Sequence, residues 1–471
     1  MNETAAIQLH LSQSQLTRLC GIVGERYVLT DPDSLQKYGV DRTSVWQPTP
    51  CAVVLPNSTA QVQAVVQMAN QERLAVVPSG GRTGLSGGAV ACNGELVLAL
   101  DRMNNIMACN PVDQTVTCQA GVITEQLQRF AADQNLFYPV DFASAGSSQI
   151  GGNIATNAGG IRVIRYGMTR DWVRGLTVVT GNGELLTLNK GLIKNNTGYD
   201  FRHLFIGSEG TLGIICEATL ALLPPPTDTR VMVLGITSFP AIMEVLRTFN
   251  RAVTLTAFEF LSDLALQKVM AHQQLAPPFD SRAPFYAVLE FEHDDANALD
   301  TAMASFEHCV EQNWATDGVV SQNMTQAKNL WRLREDISET LSFSKPYKND
   351  ISVCVSRMPD FLQEVDALAA HSYPDFEVVW YGHIGDGNLH LNILKPEALT
   401  VEEFTDRCSG VSEQVFALVQ KYDGSISAEH GVGLLKKHYL GYTRSAAEIA
   451  IMVQLKRAFD PNGVMNPGKM I

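Results

Sequence analysis

Apolar and polar positions alternate in short runs along most of the chain, and the period of this alternation differs between runs. Residues 51–55 form an apolar run with the length of a buried strand. Residues 74–77 form another. Between them lies a helical stripe of apolar side chains at Val62, Val65, Val66 and Ala69. The pattern therefore predicts a strand–helix–strand unit at the start of a domain.

A run of three prolines in LLPPPTD, residues 222–228, interrupts the pattern. Proline cannot continue a helix or a central strand, so we place a domain boundary here. The second domain mixes strands with longer helices, which is typical of an α+β domain with an antiparallel sheet. The predicted segments are an N-terminal helical segment at 1–46, a first domain at 47–226, a second domain at 227–420 and a C-terminal segment at 421–471.

Three glycine-rich stretches lie beside predicted strands of the first domain. They are PSGGRTGLSGG at 78–88, SAGSSQIGGNIATNAGG at 144–160 and GSEGTLGII at 207–215. Glycine lets the backbone turn tightly and present N–H groups to an anion, so a phosphate or pyrophosphate is the expected ligand of the first stretch. That stretch is neither a Walker loop nor the GxGxxG dinucleotide fingerprint. Ordinary turns would explain any one stretch, but three in one domain predict a large bound cofactor.

Two of the ten histidines lie in YGHIGDGNLHLNI, residues 381–393. The pattern predicts a strand, a tight GDGN turn and a second strand. Alternation along the second strand places His390 and Asn392 on one face, and the turn can bring His383 near His390. Alternatively, these are hairpin histidines that satisfy buried backbone groups.

A later stretch, SAEHG at 427–431, adds Glu429 and His430. Together, His383, His390 and Glu429 form a two-histidine, one-carboxylate set that suits a divalent ion. Zinc is favoured by the imidazoles, while manganese and cobalt stay open. The alternative is that Glu429 forms a salt bridge at the end of a helix.

Residues 331–341 have the pattern of an amphipathic helix. Its core stripe consists of Leu330, Leu333, Ile337 and Leu341. Arg334 and Ser338 are four positions apart on an adjacent face, and Lys348 follows in PYKND. An arginine beside a buried stripe can bind a carboxylate through two parallel hydrogen bonds. Alternatively, Arg334 is solvated and pairs with Glu335 or Ser338.

Composition narrows the class of protein. The 471 residues carry a formal net charge of −14 and show no run of basic residues, which argues against nucleic acid and anionic membrane surfaces as partners. No apolar run approaches the roughly 20 residues of a membrane span, and no secretory signal or transit peptide is recognisable at the start. The nine cysteines are scattered without a CxxC pair, which favours reduced thiols. These features predict a soluble cytoplasmic enzyme.

In combination, the motifs resemble a known family. The order of the three glycine-rich stretches resembles the FAD domain of the vanillyl-alcohol-oxidase-like flavoproteins. The later blocks WRLRE, YGHIGDGNLH, SAEHGVG and MNPGK resemble its FAD-dependent D-2-hydroxy acid dehydrogenase branch. The resemblance implies an α+β fold with a two-part FAD-binding domain at 47–226, an antiparallel-sheet substrate domain at 227–420 and a C-terminal helical segment that completes the active site.

The resemblance also implies how FAD is bound. None of the residues in the first two glycine-rich stretches is histidine, so we expect non-covalent FAD. The implied cofactor-binding residues are Pro78, Ser79, Gly80, Gly81, Arg82, Thr83, Gly84 and Ser86, then Gly146, Ser147, Gly151, Gly152, Asn153, Thr156, Asn157 and Gly159, and finally Glu209, Gly210, Gly213, Ile214 and Asn466.

A reaction follows from the resemblance and the metal set together. The 2-hydroxy acid chelates the metal through its hydroxyl and C1 carboxylate, and C2 delivers a hydride to flavin N5. His430 removes the hydroxyl proton as general base and also contacts the substrate, a role that suits an imidazole with an ordinary pKa near ~6.5. The implied substrate-binding residues are Arg334, Ser338, Lys348, Asn392 and His430.

An arginine and a lysine together suit a dicarboxylate, so D-2-hydroxyglutarate is the expected substrate, with 2-oxoglutarate as product. D-lactate, D-malate and glycolate stay open, because Ser338 stands where the family has threonine and the spacing before Lys348 is one residue shorter. The expected electron acceptor is electron-transfer flavoprotein or a quinone pool, and homodimerisation is open. Two other classes also compete: a zinc hydrolase, which leaves the glycine-rich stretches unexplained, and a non-catalytic flavin electron carrier.

Overall fold

The computed structural model describes residues 11–43, 45–226, 228–293 and 297–471. The strands are β1 (Val28–Leu29), β2 (Ala52–Val54), β3 (Val76–Ser79), β4 (Leu96–Ala99), β5 (Ile106–Asn110), β6 (Thr115–Gln119), β7 (Val173–Thr180), β8 (Leu185–Leu188), β9 (Gly213–Ala221), β10 (Thr229–Ile236), β11 (Leu255–Ser262), β12 (Phe285–Glu292), β13 (Ala315–Val320), β14 (Tyr347–Ser352), β15 (Val378–Gly382) and β16 (Asn388–Ile393).

Helices alternate with these strands along the chain. They are α1 (Gln13–Val23), α2 (Pro32–Tyr38), α3 (Thr59–Glu72), α4 (Thr124–Asp133), α5 (Ile150–Thr156), α6 (Val163–Tyr166), α7 (Thr169–Trp172), α8 (Arg202–Phe205), α9 (Phe239–Ala252), α10 (Asp263–Gln273), α11 (Ala298–Glu311), α12 (Met324–Glu335), α13 (Ile337–Ser342), α14 (Met358–Ser372), α15 (Val401–Lys421) and α16 (Ala446–Phe459).

The chain forms two units. The first contains the N-terminal part up to Gly159, together with Met168–Pro225 and Glu429–Ile471. The second contains Gly160–Gly167 and Pro226–Ala428. One division falls between Pro225 and Pro226, inside the proline run at which the sequence places a boundary. The excursion of residues 160–167 into the second unit has no counterpart in the predicted segments.

Two sheets build the first unit. The four-stranded sheet has the order β1-β2-β4-β3, with β2, β4 and β3 parallel and β1 antiparallel to β2. The five-stranded sheet, β5-β6-β9-β7-β8, is antiparallel throughout. α3 connects β2 to β3, as the strand–helix–strand pattern predicts, and its apolar stripe is buried at Val62, Val65 and Val66. One hydrophobic core joins the side chains of both sheets.

A seven-stranded antiparallel sheet forms the centre of the second unit, in the order β13-β10-β12-β11-β15-β16-β14. This confirms the predicted α+β pattern. Side chains of α10, α12 and α13 pack with side chains of β11, β12 and β15 in one core.

β15 and β16 are the two predicted strands of the histidine hairpin. The predicted tight turn is instead a five-residue connection at 383–387, which contains a short 3₁₀ turn at Ile384–Asp386. Gly387 has φ +87°, and a Cβ there would lie 2.1 Å from the carbonyl oxygen of Val353. Only glycine fits this position, so the connection is fixed by its close contact with another segment of the same chain.

The predicted single helix at 331–341 is wrong in one respect. The structure ends α12 at Glu335 and begins α13 at Ile337, with Asp336 between them accepting a hydrogen bond from Arg332 Nε at 3.1 Å. The apolar stripe survives the break, because Leu333, Ile337 and Leu341 are all buried in the same core. Arg334 and Ser338 therefore lie on two successive helices.

None of the described helices combines the length and apolar composition that crossing a bilayer requires.

Candidate functional site

The three glycine-rich stretches meet in the first unit. A Cβ on Gly81 would lie 2.2 Å from the carbonyl oxygen of Ser147, so the first stretch packs directly on the second. The third stretch joins both, because the N–H of Glu209 donates to the carbonyl of Ala155 at 2.8 Å and Gly210 lies against Pro78. The absence of side chains allows these backbones to approach each other this closely.

Most polar side chains predicted to bind the cofactor are engaged within the protein. Asn153 donates to Thr124 at 2.7 Å, Thr156 donates to the carbonyl of Gly152, and Asn157 accepts from the N–H of Arg170. Arg82 forms an ion pair with Asp101 at 3.0 Å. These contacts fix the shape of the stretches, so what the stretches offer a ligand is mainly backbone.

The remaining predicted residues line the same region. Pro78 and Ser79 end β3, while Gly213 and Ile214 begin β9. Gly80, Thr83, Gly84 and Ser86 lie in the loop after β3, Gly146 and Ser147 are exposed, and Gly151, Gly152 and Gly159 lie in or just after α5.

Two buried amide oxygens in this region lack a hydrogen-bond partner among the described residues. They are Oε1 of Gln149 and Oδ1 of Asn466. The side-chain nitrogen of Asn466 donates to the carbonyls of Gly88 and Glu209, which leaves its oxygen to accept from a ligand. A Cβ added to Gly152 would meet no heavy atom within 4 Å, so there is space beside it. Buried acceptors of this kind need a donor, and a large polar cofactor fits that need.

A second group of polar side chains lies on one face of the seven-stranded sheet. In the strand register, His390 is opposite both Asp350 of β14 and Tyr381 of β15, and Asn392 is opposite Lys348. Residues directly opposite in an antiparallel pair point to the same side. This confirms that His390 and Asn392 share a face.

Asn392 is the clearest sign of a ligand on this face. Its side chain is 1% exposed, and neither its oxygen nor its nitrogen has a hydrogen-bond partner in the part of the chain that the structure describes. Leaving a buried polar group unpaired costs roughly 1–3 kcal/mol per group, so the amide points to a polar ligand that would complete it.

Glu259 of β11 connects two predicted site residues. Its carboxylate accepts from His383 Nδ1 at 2.9 Å, and its other oxygen lies 2.7 Å from Nη2 of Arg334. The Arg334 contact is an ion pair whose angle falls outside that of a hydrogen bond, and Nε of Arg334 has no hydrogen-bond partner among the described residues. The Arg334 guanidinium also stacks over the ring of Tyr381, 4.8 Å from its centroid.

The tautomer of His383 follows from this contact. A histidine that donates Nδ1–H to a carboxylate presents Nε2 as its lone-pair nitrogen, and metal-ligating histidines are commonly held in this way. The ring of His383 is 5.3 Å from that of His390 between centroids. Glu259, with 1% exposure, thus supports His383 from behind.

A group of four side chains that could hold a metal ion differs in part from the predicted set. Asp350, His390, Glu429 and His430 are side chains that together can hold a metal ion, so the protein has a possible metal-binding site. The donor set, two imidazoles and two carboxylates, suits zinc, manganese or cobalt. Of the three ligands predicted from sequence, His390 and Glu429 belong to this group and His383 is not one of its four side chains. Asp350 was not predicted, because it lies in a buried strand without a local motif.

The other predicted substrate residues differ in how far they are buried. Arg334 is buried at the C-terminal end of α12, Ser338 is half-buried in the first turn of α13, and Lys348 is half-buried on β14. Glu429 and His430 begin the segment of the chain that returns to the first unit.

Two domain families match the chain. An FAD binding domain matches residues 50–189, and the C-terminal domain of FAD linked oxidases matches residues 225–470. The first match covers two of the three glycine-rich stretches. The second covers the histidine hairpin and the segment that contains Glu429 and His430.

Similar proteins cover nearly the whole chain. A D-2-hydroxyglutarate dehydrogenase of Stutzerimonas stutzeri is 60% identical over 94% of this chain and 96% of its own length. One from Xanthomonas citri pv. viticola is 57% identical over 94% of this chain and 93% of its length. A mitochondrial D-2-hydroxyglutarate dehydrogenase of Danio rerio is 37% identical over 94% of this chain and 82% of its length.

Solved structures show the fold. p-Cresol methylhydroxylase with substrate bound has a TM-score of 0.75 at 15% identity, over 98% of this chain and 97% of that chain. Alkyldihydroxyacetonephosphate synthase has a TM-score of 0.74 at 19% identity, over 99% of this chain and 89% of that chain. These likenesses confirm the predicted α+β fold of the vanillyl-alcohol-oxidase type.

Proposed function

Because this chain belongs to the FAD-dependent D-2-hydroxy acid dehydrogenases, a branch of the FAD-linked oxidases, we propose that it oxidises D-2-hydroxyglutarate to 2-oxoglutarate. The proposed substrate is the one in the name of the relatives called D-2-hydroxyglutarate dehydrogenase. The observation that carries the proposal within the structure is the buried, unpartnered amide of Asn392, beside Lys348 in the strand register. A sheet face that buries an unpaired amide next to a cation suits a substrate with hydroxyl and carboxylate groups.

In this proposal the substrate's far carboxylate is held by cations. Arg334 supplies a guanidinium with an unpartnered Nε, Ser338 supplies a hydroxyl, and Lys348 supplies an ammonium. Buried arginine is suited to a carboxylate because its donors form a planar fork. Two cations at the far carboxylate favour a dicarboxylate over lactate, because lactate has no second carboxylate for them to contact.

In the same proposal, His430 accepts the proton of the substrate's C2 hydroxyl. An imidazole is a suitable general base near neutral pH, because its ordinary pKa lies near ~6.5. Asn392 holds the reacting end by hydrogen bonds to both of its amide atoms. When bound, FAD supplies a two-electron acceptor and a divalent cation supplies Lewis acidity at the hydroxyl oxygen.

The residues present fit both groups. We propose non-covalent FAD in the cradle of the three glycine-rich stretches, where Gln149 and Asn466 offer unpartnered acceptors. For the cation we propose His383, His390 and Glu429 as ligands. Asp350 lies in one group with His390 and Glu429 and is a further carboxylate, while His430 of the same group is kept as the base. The support for His383 is Glu259, which orients its ring through Nδ1.

Three further parts of the proposal come from the sequence and the relatives. We expect electrons to pass to an acceptor such as electron-transfer flavoprotein, the protein to be cytoplasmic, and a homodimer to be the assembly to test first. Each is a prediction about the cell or the solution state.

A side-by-side substrate assay tests the proposed activity. Purified protein is supplied with a redox dye and with D-2-hydroxyglutarate, L-2-hydroxyglutarate, D-malate, D-lactate or glycolate at equal concentrations. We expect the highest kcat/KM with D-2-hydroxyglutarate. We expect that preference to be lost in Lys348→Met, which removes one cation and keeps the length of the side chain. Higher kcat/KM with D-lactate than with D-2-hydroxyglutarate would reject the substrate while leaving the reaction class intact.

A further inference from the structure

Glu209 in the third glycine-rich stretch has an unusual pair of contacts. Its carboxylate accepts two backbone N–H groups of one loop, from Val432 to Oε1 at 2.7 Å and from Gly433 to Oε2 at 2.7 Å. The side chain is buried, with 7% of the residue exposed. Both oxygens therefore hold backbone amides two and three residues after His430.

The electrostatics of Glu209 indicate that these contacts matter. Burial raises the pKa of the Glu209 carboxyl, while the two amide donors and nearby Lys436 act in the opposite direction. Hydrogen bonds from amides to a charged carboxylate are about twice as strong as neutral ones. A buried carboxylate is costly, and the two amides of the loop, together with Lys436, offset that cost.

Two glycines of this loop are closely surrounded, which restricts the conformation of its backbone. Gly431 has φ +79°, and a Cβ there would lie 2.9 Å from Glu209 Oε1. Gly433 has φ +50°, and a Cβ there would lie 2.2 Å from the carbonyl oxygen of Ser86. The N–H of Leu435 donates to that same carbonyl at 3.0 Å. The loop is thus held between the first and third glycine-rich stretches.

We propose that Glu209 is the positioning residue of His430. It holds the amides two and three residues after the histidine and so fixes the direction in which the imidazole leaves the backbone, without touching the substrate. The inference rests on the proposed function, in which His430 takes the hydroxyl proton. It assigns to the carboxylate of Glu209 a role separate from the cofactor contact that the family resemblance implies.

Glu209→Gln is the first variant, because it keeps the size of the side chain and one acceptor while placing an NH₂ group against the second amide. Displacement of a reacting group by about 1 Å can cost about 10²-fold in rate. We expect kcat for D-2-hydroxyglutarate to fall about 10- to 100-fold, KM to change less than about 3-fold, and bound FAD to stay at the wild-type amount.

The matched control is Glu95→Gln. Glu95 is also a buried carboxylate of the first unit and accepts the backbone N–H of Asn93 at 2.6 Å, but it lies outside the proposed machinery. We expect lower thermal stability with unchanged kcat. Glu209→Asp, which keeps the charge but cannot reach both amides, should fall between wild type and Glu209→Gln in kcat.

A double-mutant cycle with His430→Asn separates positioning from general damage. If Glu209 acts through the histidine, Glu209→Gln lowers the residual rate of flavin reduction in the His430→Asn background by less than about 2-fold. Equal losses in both backgrounds, a wild-type kcat in Glu209→Gln, or loss of FAD from both Glu209 variants but not from Glu95→Gln would overturn the inference.

The failure of the proposed function has a different signature. Full turnover in His430→Asn would remove the proposed base, and with it the reason for positioning it. Strong loss in His430→Asn together with wild-type kinetics in Glu209→Gln would reject the inference alone.

Discussion

At the scale of single residues, one buried glutamate of the second unit contacts two proposed site residues. Glu259 contacts His383 and Arg334, which are proposed to bind the metal and the substrate respectively. Glu259 is 1% exposed, so water cannot take its place as a partner of these side chains. One carboxylate therefore sets the tautomer of an imidazole and fixes the place of a guanidinium at the same time.

The role of Glu259 can be measured through metal binding. In Glu259→Gln the amide can accept from His383 with one oxygen only, and its charge no longer raises the basicity of the ring. Loss of such a supporting group lowers metal affinity about 10- to 100-fold. We expect this loss in zinc titrations of the metal-free protein that contains FAD, with smaller change in Glu290→Gln as control. Equal affinity in Glu259→Gln and wild type would contradict the proposed support.

The sequence predicted some of these residues and missed others for a physical reason. His390 and Asn392 were predictable because they follow a glycine-rich turn and alternate with buried leucines. Glu259 lies within a largely apolar strand and Asp350 within the polar strand YKNDIS, and nothing nearby in the sequence marks their contacts. Contacts between distant strands depend on register, which a single sequence does not specify.

At the scale of elements, Glu290 of β12 ties three parts of the second unit together. It accepts from Arg162 Nε next to α6 at 2.9 Å, from Thr256 of β11 at 2.6 Å and from the Trp331 indole of α12 at 2.9 Å. Burial opposes its charge, but these donors prevail and lower the pKa of the Glu290 carboxyl. The short 160–167 excursion is fixed to the sheet by this carboxylate.

The lowered pKa of Glu290 gives the pH dependence a definite sign. Its stabilisation is complete above the ordinary glutamate pKa of about 4.3 and is lost as pH falls through the lower folded pKa. Glu290→Gln should reduce the free energy of unfolding by roughly 1–3 kcal/mol at pH 7, and the difference from wild type should narrow below about pH 4. Urea unfolding followed by tryptophan fluorescence at both pH values measures it, and an equal difference at both would refute the assignment.

Elements were predicted best where periodicity was strong. The apolar stripe of α3 and the antiparallel character of the sheet in the second unit followed from the pattern, while the number and order of its strands did not. The break between α12 and α13 did not, because the apolar stripe continues at helical spacing on both sides of Asp336. The 160–167 excursion was also missed, since its ion pair joins residues 128 positions apart.

At the scale of the whole molecule, the proposed chemistry requires two groups that the chain itself does not contain. The FAD binding domain at 50–189 supports one, and the imidazole and carboxylate side chains at 350, 390, 429 and 430 support the other. The two groups use different side chains, so one can be removed while the other stays. The net charge of −14 gives no general attraction for an acidic substrate, and local cations must supply it.

Removal of the metal tests this separation. Dialysis against EDTA should lower dye reduction by D-2-hydroxyglutarate more than about 10-fold, because the hydroxyl loses its Lewis acid. The visible absorption of bound flavin should remain unchanged. Zinc, manganese and cobalt are then added back singly, and recovery with one of them identifies the working ion. Full turnover in protein that elemental analysis shows to be metal-free would remove the cation from the reaction.

The return of the last segment to the first unit has a consequence for synthesis. Val76 of β3 pairs with Met465, and Asn466 bonds to Gly88 across 378 positions of sequence. A ribosome delivers the N-terminus first, so the early part of the first unit waits, incompletely covered, while the whole second unit is made. Closing so long a loop is slow. A nascent chain released before residue 429 would hold a finished second unit beside an unfinished first one, and chaperones would meet that exposed strand edge.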